Sequence, residues 1–201
     1  MRIFLAMLLF FWLSVNAWGA TFKGKVIDAE TKQPIEGAVV VASWIEERAT
    51  PAGSTSRLKD VKETLTDMNG EWVIEGPRGR DMGNITAYFT LLTGTYIVNP
   101  PEFLVFKPGY CSWPKGFTIG ACRGKIKPEG NDKVAEGETV ELPKLTKKED
   151  RSKSSAIWPS LIESDKESLK KIKTFLKLLD EENRSLGFSE DPRIKELKNE
   201  K

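Results

Sequence analysis

The chain has 201 residues, with 31 Lys and Arg against 29 Asp and Glu, and a formal net charge of +2. A charge this small, interspersed along the chain, excludes the one-signed field that nucleic-acid-binding proteins carry. The sequence contains no histidine, which excludes a Ser-His-Asp triad, a Cys-His pair and the usual His-bearing zinc sites.

The first 19 residues predict a signal peptide. Met1 and Arg2 precede an apolar run of about eleven residues, which is short for crossing a bilayer and typical of a signal-peptide core. Small residues then follow, and cleavage is predicted after Gly19 or after Ala17. The alternative is an uncleaved membrane anchor, but the basic flank of a stop-transfer segment is missing. We therefore predict an exported protein, periplasmic or extracellular.

Two strands and a turn are predicted next. Residues 22–28 alternate between apolar and polar side chains, as in a half-buried strand, and residues 38–46 form a valine-rich strand that is buried on both faces. Residues 29–37 connect these two strands and are predicted to form a turn. Residues 48–60 are small and polar, and this composition predicts a loop.

A β-hairpin is predicted around Asp67, Met68, Asn69 and Gly70. Residues 63–66 and 71–75 flank this turn as strands, and Asn and Gly tolerate the positive φ that tight hairpins need. A calcium loop is a weaker interpretation of the same residues, because the later ligands of such a loop are absent.

The middle of the chain is less regular. Residues 85–98 form an apolar run that is either a second hairpin, turning at Thr93 and Gly94, or a long insertion lying on the sheets. Residues 102–107 and 138–145 predict two further strands, and Pro143 suits a sheet edge.

Cys111 and Cys122 predict one disulfide. Two cysteines this close in sequence pair readily in an oxidising compartment. A redox-active pair is the alternative, but catalytic thiols usually stand two residues apart at the start of a helix.

From residue 147 the composition becomes charged and helical. Ser164 and Glu167 form a capping box that predicts the start of an amphipathic helix, and Gly187 stands where that helix would end. Its apolar face is a candidate docking surface, formed by Leu169, Ile172, Phe175, Leu176 and Leu179. Lys166, Lys170, Lys173 and Lys177 follow another face, which is either solvated or directed at anionic lipid.

Three segments resemble the carboxypeptidase regulatory-like domains: GKVIDAETKQPIEGAVV, TDMNGEW and VFKPGY. The resemblance implies a mainly β, transthyretin-like antiparallel β-sandwich of about seven strands over residues 20–146, with insertions at 78–101 and 111–130. A charged tail with the C-terminal amphipathic helix would then occupy residues 147–201. The resemblance also implies structural roles in turns for Gly24, Pro34, Gly37, Asp67, Asn69 and Gly70, and it brings no catalytic residue.

Exposed aromatic side chains are the better indication of function. Trp113, Lys115 and Phe117 lie in the short loop between the cysteines and are candidate binding residues. The alternative is that Trp113 and Phe117 plug one end of the sandwich. Glu46 and Glu47 do not form a catalytic pair, since neighbours on a strand point to opposite faces.

The sequence thus predicts a non-catalytic exported module that docks onto an envelope protein or a glycan. No metal, cofactor or nucleic acid is expected. The alternatives are a small hydrolase that works without histidine, and a membrane-surface module attached through the lysine face.

Overall fold

The structure is a computed structural model that describes residues 19–81, 83–114, 118–128, 137–159 and 166–199, with side chains as far as residue 195. Residues 1–18 of the predicted signal peptide lie outside the described residues, as do the candidate binding residues Lys115 and Phe117 and the predicted cap residue Ser164.

Two facing β-sheets form the body of the molecule. In the first sheet, β1 (Ala20–Asp28) lies between β4 (Glu71–Gly76) and β7 (Thr139–Leu142). In the second, β2 (Val39–Thr50) pairs with β3 (Gly53–Leu65) on one side, and with β5 (Ile97–Val98) and β6 (Glu102–Phe106) on the other. Among the strands named here, every pair is antiparallel except β1 with β7. The chain is therefore mainly β, with two mostly antiparallel sheets, as predicted.

The main core lies between the sheets, because alternate residues of each strand face inwards. Trp72 of the first sheet packs against Phe103 of the second, with ring centroids 5.3 Å apart, and Phe103 also contacts Phe22. The other inward-facing side chains of this core include Val26, Val40, Ala42, Trp44, Ile74, Val105, Val140 and Leu142.

Strands β2 and β3 form a longer ribbon than the sequence predicts. Their pairing runs from Val39 opposite Leu65 to Thr50 opposite Gly53, so the expected loop at residues 48–60 is wrong. The distal part of the ribbon extends beyond the main core, and its polar side chains are mostly exposed on β3. Sequence alternation detects a strand by its buried face, and this segment buries little.

The predicted hairpin around Asp67 is also wrong, although a tight turn is present. Strand β3 belongs to the second sheet and β4 to the first, so the turn carries the chain between sheets. Asp67 Oδ1 accepts hydrogen bonds from the backbone N–H groups of Asn69 (2.9 Å) and Glu71 (2.8 Å), and Gly70 takes a φ of +73°. Turn chemistry is local, whereas the choice of partner strand depends on which core accepts Trp72 and Ile74.

The other predicted turn residues occupy strand and turn positions. A side chain at Gly24 would place its Cβ 2.7 Å from the carbonyl oxygen of Glu138, so β1 and the start of β7 approach closely only at glycine. Gly37 has a φ of +67°, and Pro34 forms an isolated bridge with Ile27.

The apolar run at residues 85–98 is neither a hairpin nor a single packed segment. It forms helix α1 (Asn84–Thr93), then β5, which pairs with Glu46 and Glu47 of β2. Gly94 ends the helix in the left-handed conformation and donates its N–H to Thr90 O (2.8 Å). The β-branched residues of the run favour strands, but the helical conformation prevails where Thr90 packs against β2.

The described residues of the tail form four helices: α2 (Lys148–Ser155), α3 (Lys166–Lys171), α4 (Lys173–Ser185) and α5 (Pro192–Asn199). The predicted single helix is interrupted at Ile172. A second core forms between these helices and the outer face of the second sheet, and it includes Val39, Val41, Val61, Leu104, Phe106, Leu169, Ile172, Phe175, Leu176 and Leu179.

This packing corrects the interpretation of the helical face as a docking surface. Its five candidate residues are each at most 5% exposed, and they are buried by strands of the same chain. An amphipathic pattern shows that a face is covered, and here the cover is the chain's own sheet. Lys170 pairs with Glu167, and Lys177 with Glu181, on the outer side of these helices.

Candidate functional site

The cystine segment is part of the core. Cys111 and Cys122 are joined by an S–S bond of 2.03 Å, and both are fully buried. Trp113 is also fully buried, and its indole N–H donates to the carbonyl oxygen of Pro128 (3.2 Å). Trp113 therefore plugs the space between the sheets, and the expectation that it is an exposed binding residue is wrong.

Asp28, at the end of β1, and Tyr110 are two titratable side chains joined by a hydrogen bond. Burial acts to raise the pKa of Asp28, but hydrogen bonds from the N–H groups of Thr31 (2.9 Å) and Glu30 (2.8 Å) and from Tyr110 outweigh it. The pKa of Asp28 therefore lies below its usual value. Burial, and then the charge of Asp28, raise the pKa of Tyr110. These contacts fix the turn, which is a structural role.

A charged cluster lies on the distal half of β2 and β3. Glu46 is buried and pairs with Arg57 and with Lys59 (3.7 Å). The ring of Tyr96 lies under two guanidinium groups, those of Arg57 (4.0 Å to the centroid) and Arg48 (4.9 Å). Cation–π contacts of this kind hold Tyr96 and the start of β5 against the ribbon.

Next to this cluster is a surface cleft of about 470 Å³, lined by Arg78, Gly79, Arg80, Ile97 and Val98. We call it the arginine cleft. Ile97 and Val98 give it an apolar floor, and both arginines are exposed. Within the part of the chain that the structure describes, neither guanidinium has an ion-pair partner. This volume lies in the range of small-molecule sites.

The backbone around the arginine cleft is fixed by specific contacts. Arg80 N–H donates to Val98 O (2.8 Å), and the indole N–H of Trp44 donates to Pro77 O (2.7 Å). Gly79 has a φ of +73°, and a Cβ there would stand 2.2 Å from the carbonyl oxygen of Asn99. Any side chain at position 79 would therefore separate the two segments that form the cleft.

Helix α1 lies at the same end of the sheets and has an unusual orientation. Its buried residue is Thr90, whose hydroxyl accepts a hydrogen bond from Ala49 N–H (3.0 Å) and donates to Ala87 O (2.9 Å). Its large apolar side chains are exposed: Ile85, Tyr88, Phe89, Leu91 and Leu92. The polar face is therefore the one that meets the protein.

A second, smaller cleft of about 260 Å³ lies among the tail helices, beside Trp158, Phe188 and Asp191. The guanidinium of Arg193 lies 3.4 Å from the centroid of the Trp158 ring. Hydrogen bonds from the Arg193 side chain hold the pKa of Asp191 below its usual value, although burial opposes them. Because Arg193 is occupied by Trp158 and Asp191, this cleft offers an incoming ligand less free charge than the arginine cleft does.

The described residues contain no group of three or more Cys, Asp and Glu side chains placed to hold a metal ion. In the same part of the chain, no helix combines the length and the apolar character that crossing a bilayer requires.

The sequence did not predict the arginine cleft or the exposed face of α1. Arg78 and Arg80 lie in a segment without a recognisable pattern, and only its tertiary contact with β5 makes a cleft. The helix did carry a signal, since Ile85, Tyr88, Phe89 and Leu92 have the spacing i, i+3, i+4, i+7.

No family model and no curated protein matches this sequence. Among solved structures, the chain is similar to 3-chlorocatechol 1,2-dioxygenase from Rhodococcus opacus 1CP, at 19% identity and a TM-score of 0.33, over 65% of this chain and 62% of that one. Catechol 1,2-dioxygenase from Acinetobacter radioresistens matches at 17% identity and 0.34, over 73% and 57%. The enzyme from Pseudomonas arvilla C-1 matches at 15% and 0.35, over 76% and 60%.

The prediction of a non-catalytic docking module disagrees with this comparison, in which the solved structures are those of enzymes. The prediction that the protein is not an enzyme is contradicted by the same comparison. The matched region spans less than two thirds of the length of each of these enzymes. At this level of identity no activity or residue role is carried over to this chain.

Proposed function

We propose that the protein takes a small anionic compound with an apolar body as its ligand or substrate, in the arginine cleft. The observation that carries this proposal is the pair of exposed guanidinium groups, Arg78 and Arg80, beside the apolar floor of Ile97 and Val98. Guanidinium groups recognise carboxylate and phosphate by paired, charge-assisted hydrogen bonds. The floor removes the apolar part of the same compound from water.

Preorganisation supports the same proposal. The backbone on both sides of the arginine cleft is held by hydrogen bonds and by the close approach at Gly79, so a ligand orders only the two arginine side chains. A site that needs little reorganisation spends less of its interaction energy on ordering.

Fluorescent probes test the proposal. Anilinonaphthalene sulfonate is anionic and apolar, and N-phenylnaphthylamine has the same rings without the sulfonate. The variant Arg78→Ala/Arg80→Ala should bind the sulfonate about tenfold or more weakly, since a hydrogen bond to a charged group contributes about 1.5–3 kcal/mol. Its affinity for the neutral probe should stay that of the wild type.

The matched control is Arg123→Ala/Lys125→Ala, which removes two exposed cations with the same spacing elsewhere on the surface. It should bind both probes like the wild type. Equal losses in both variants would mean that net charge alone attracts the sulfonate, and unchanged binding by the cleft variant would likewise overturn the proposal.

We also propose that the two sheets are a transthyretin-like sandwich of the carboxypeptidase regulatory-like type, in an exported protein that is periplasmic or extracellular. Three sequence segments, the apolar N-terminal run and the paired cysteines support this. Cell fractionation with a C-terminal tag and thiol labelling tests the export. A full-length cytoplasmic chain with reduced cysteines would contradict it.

A further inference from the structure

The exposed face of helix α1 is an apolar stripe that the protein leaves uncovered. Thr90 faces the protein, and successive residues of a helix are 100° apart around its axis. On this basis Tyr88, Leu92 and Ile85 lie within about 40° of the direction opposite Thr90, and Phe89 lies beside them. Ile85 is 86% exposed and Leu92 is 85% exposed. We call Ile85, Tyr88, Phe89 and Leu92 the α1 stripe.

Exposure on this scale is unusual for a helix of a globular protein. An amphipathic helix normally buries its apolar stripe and exposes its polar face, whereas α1 attaches through Thr90 and the Arg48 contact with Gly94 O (3.4 Å). Contiguous apolar surface of this kind marks an interaction site. Residues 84–98 carry no charged side chain, so this surface has no element that would repel a lipid interior.

The charges around α1 indicate which surface would cover the stripe. Arg78 and Arg80 precede the helix in the chain and are followed by one carboxylate, Asp81. Arg48 and Arg57 lie beyond its C-terminal end, around Tyr96, where Arg57 also pairs with Glu46. Each end of the helix therefore has more cations than carboxylates close to it. Two copies related by a two-fold axis would bring these cationic ends together if their helices packed antiparallel. A bilayer with anionic headgroups would instead place negative charge beside the cations at both ends of the helix, so these charges would attract.

We propose that the α1 stripe inserts into the interface of an anionic bilayer, with the flanking arginines on the headgroups. A ten-residue helix is about 15 Å long, which suits a helix lying in the plane of the interface and not one crossing it. Apolar residues on one face with cations beside them are typical of interfacial helices. The lysine face of the tail helices has no part in this contact.

This proposal shares Arg78 and Arg80 with the arginine cleft, but it does not depend on the ligand proposed there. The double variant Ile85→Ser/Leu92→Ser alters the stripe without touching a cleft-lining residue, and it should bind anilinonaphthalene sulfonate in the cleft as before. Because both side chains are almost fully exposed, the variant should fold like the wild type, which circular dichroism checks.

The test is cosedimentation of the mature protein with vesicles of phosphatidylcholine alone or mixed with phosphatidylglycerol. The wild type should partition onto the mixed vesicles, and less so as salt is raised. Ile85→Ser/Leu92→Ser should bind the mixed vesicles about tenfold or more weakly than the wild type. Each aliphatic side chain that is withdrawn from water contributes more than a tenfold change in affinity. Met68→Ser/Val73→Ser removes two exposed apolar side chains elsewhere and should bind like the wild type.

Three outcomes would overturn the proposal. The first is a wild type that stays in the supernatant with both vesicle compositions. The second is vesicle binding that the stripe variant retains. The third is a dimer in sedimentation equilibrium that the stripe variant abolishes while vesicles bind neither protein, which would assign the α1 stripe to a second copy of the chain.

Discussion

Glu63 on strand β3 caps the N-terminus of helix α4 by accepting a hydrogen bond from the backbone N–H of Phe175 (2.8 Å). Its other carboxylate oxygen accepts from Thr174 N–H (2.7 Å). These are two of the N–H groups that lack a partner within the helix, at the end where the helix dipole favours negative charge. One strand carboxylate therefore attaches the tail to the second sheet.

Replacing Glu63 should release that attachment. Glu63→Ala is expected to lower the free energy of unfolding by about 1–2 kcal/mol, the usual cost of losing a helix cap. Urea unfolding followed by circular dichroism measures this change. Glu75→Ala removes an exposed carboxylate from edge strand β4 and should change the free energy by less than about 0.5 kcal/mol.

Trp113 should behave as a core residue and not as a binding residue. Trp113→Ala is expected to cost about 3–5 kcal/mol of stability, because it leaves a cavity between the sheets. Tyr88→Ala, at an exposed aromatic on α1, should barely shift the thermal midpoint. A small effect of Trp113→Ala in a differential scanning calorimetry comparison would contradict its place in the core.

Arg151 and Glu182 join helices α2 and α4 through two side-chain hydrogen bonds of 2.8 and 2.6 Å. Glu182 is 3% exposed and also accepts from Gly109 N–H (3.3 Å). Arg151→Ala should destabilise by about 3 kcal/mol, because it leaves a buried carboxylate without its cation.

A double-mutant cycle with Glu182→Ala isolates the interaction between the two side chains. The double variant should be more stable than the sum of the two single losses predicts, with a coupling energy of about 1 kcal/mol or more. Strict additivity in urea unfolding would mean that the pair contributes nothing as a pair.

Asp28 should make the protein sensitive to acid. Its pKa is lowered in the folded state, so its contribution to stability is complete above the pKa of the unfolded chain, about 3.9, and is lost as pH falls through the folded value. Asp28→Asn should therefore flatten the fall in stability below about pH 4. Tyr110→Phe removes one of the hydrogen-bond donors to Asp28, so it should flatten the fall in stability in part. Urea midpoints measured against pH distinguish the three proteins.

The sequence alone predicted several elements because their signals are local. Alternation predicted β1, a continuous valine-rich run predicted most of β2, and the pattern at Asp67, Asn69 and Gly70 predicted the tight turn before β4. The sequence did not predict the distal β2–β3 ribbon, because a solvated strand lacks the buried face that alternation detects. It also paired β3 with β4, because turn chemistry does not specify which sheet the next strand joins.

The candidate sites also show that local patterns are predictable from the sequence, whereas the burial of a face depends on the fold. The pattern at Leu169, Ile172, Phe175, Leu176 and Leu179 correctly marked a face that must be covered, but the pattern does not say by what. The fold covers it with Val39, Val41 and Phe106 of the second sheet, so the face that looked available is occupied. The α1 stripe, by contrast, lies in a run that the sequence predicts as a hairpin or as an insertion lying on the sheets, and its side chains are exposed.

The sequence by itself determined the mainly β character of residues 20–146, the helical tail and the lack of histidine chemistry, since these depend on composition and on short-range periodicity. Tertiary structure decided which apolar faces are buried and which cations remain unpaired. Both depend on contacts between residues far apart in the chain, as between Arg80 and Val98 or Glu63 and Phe175. A one-dimensional pattern records that a side chain needs a partner, and only the packed fold determines whether it has one.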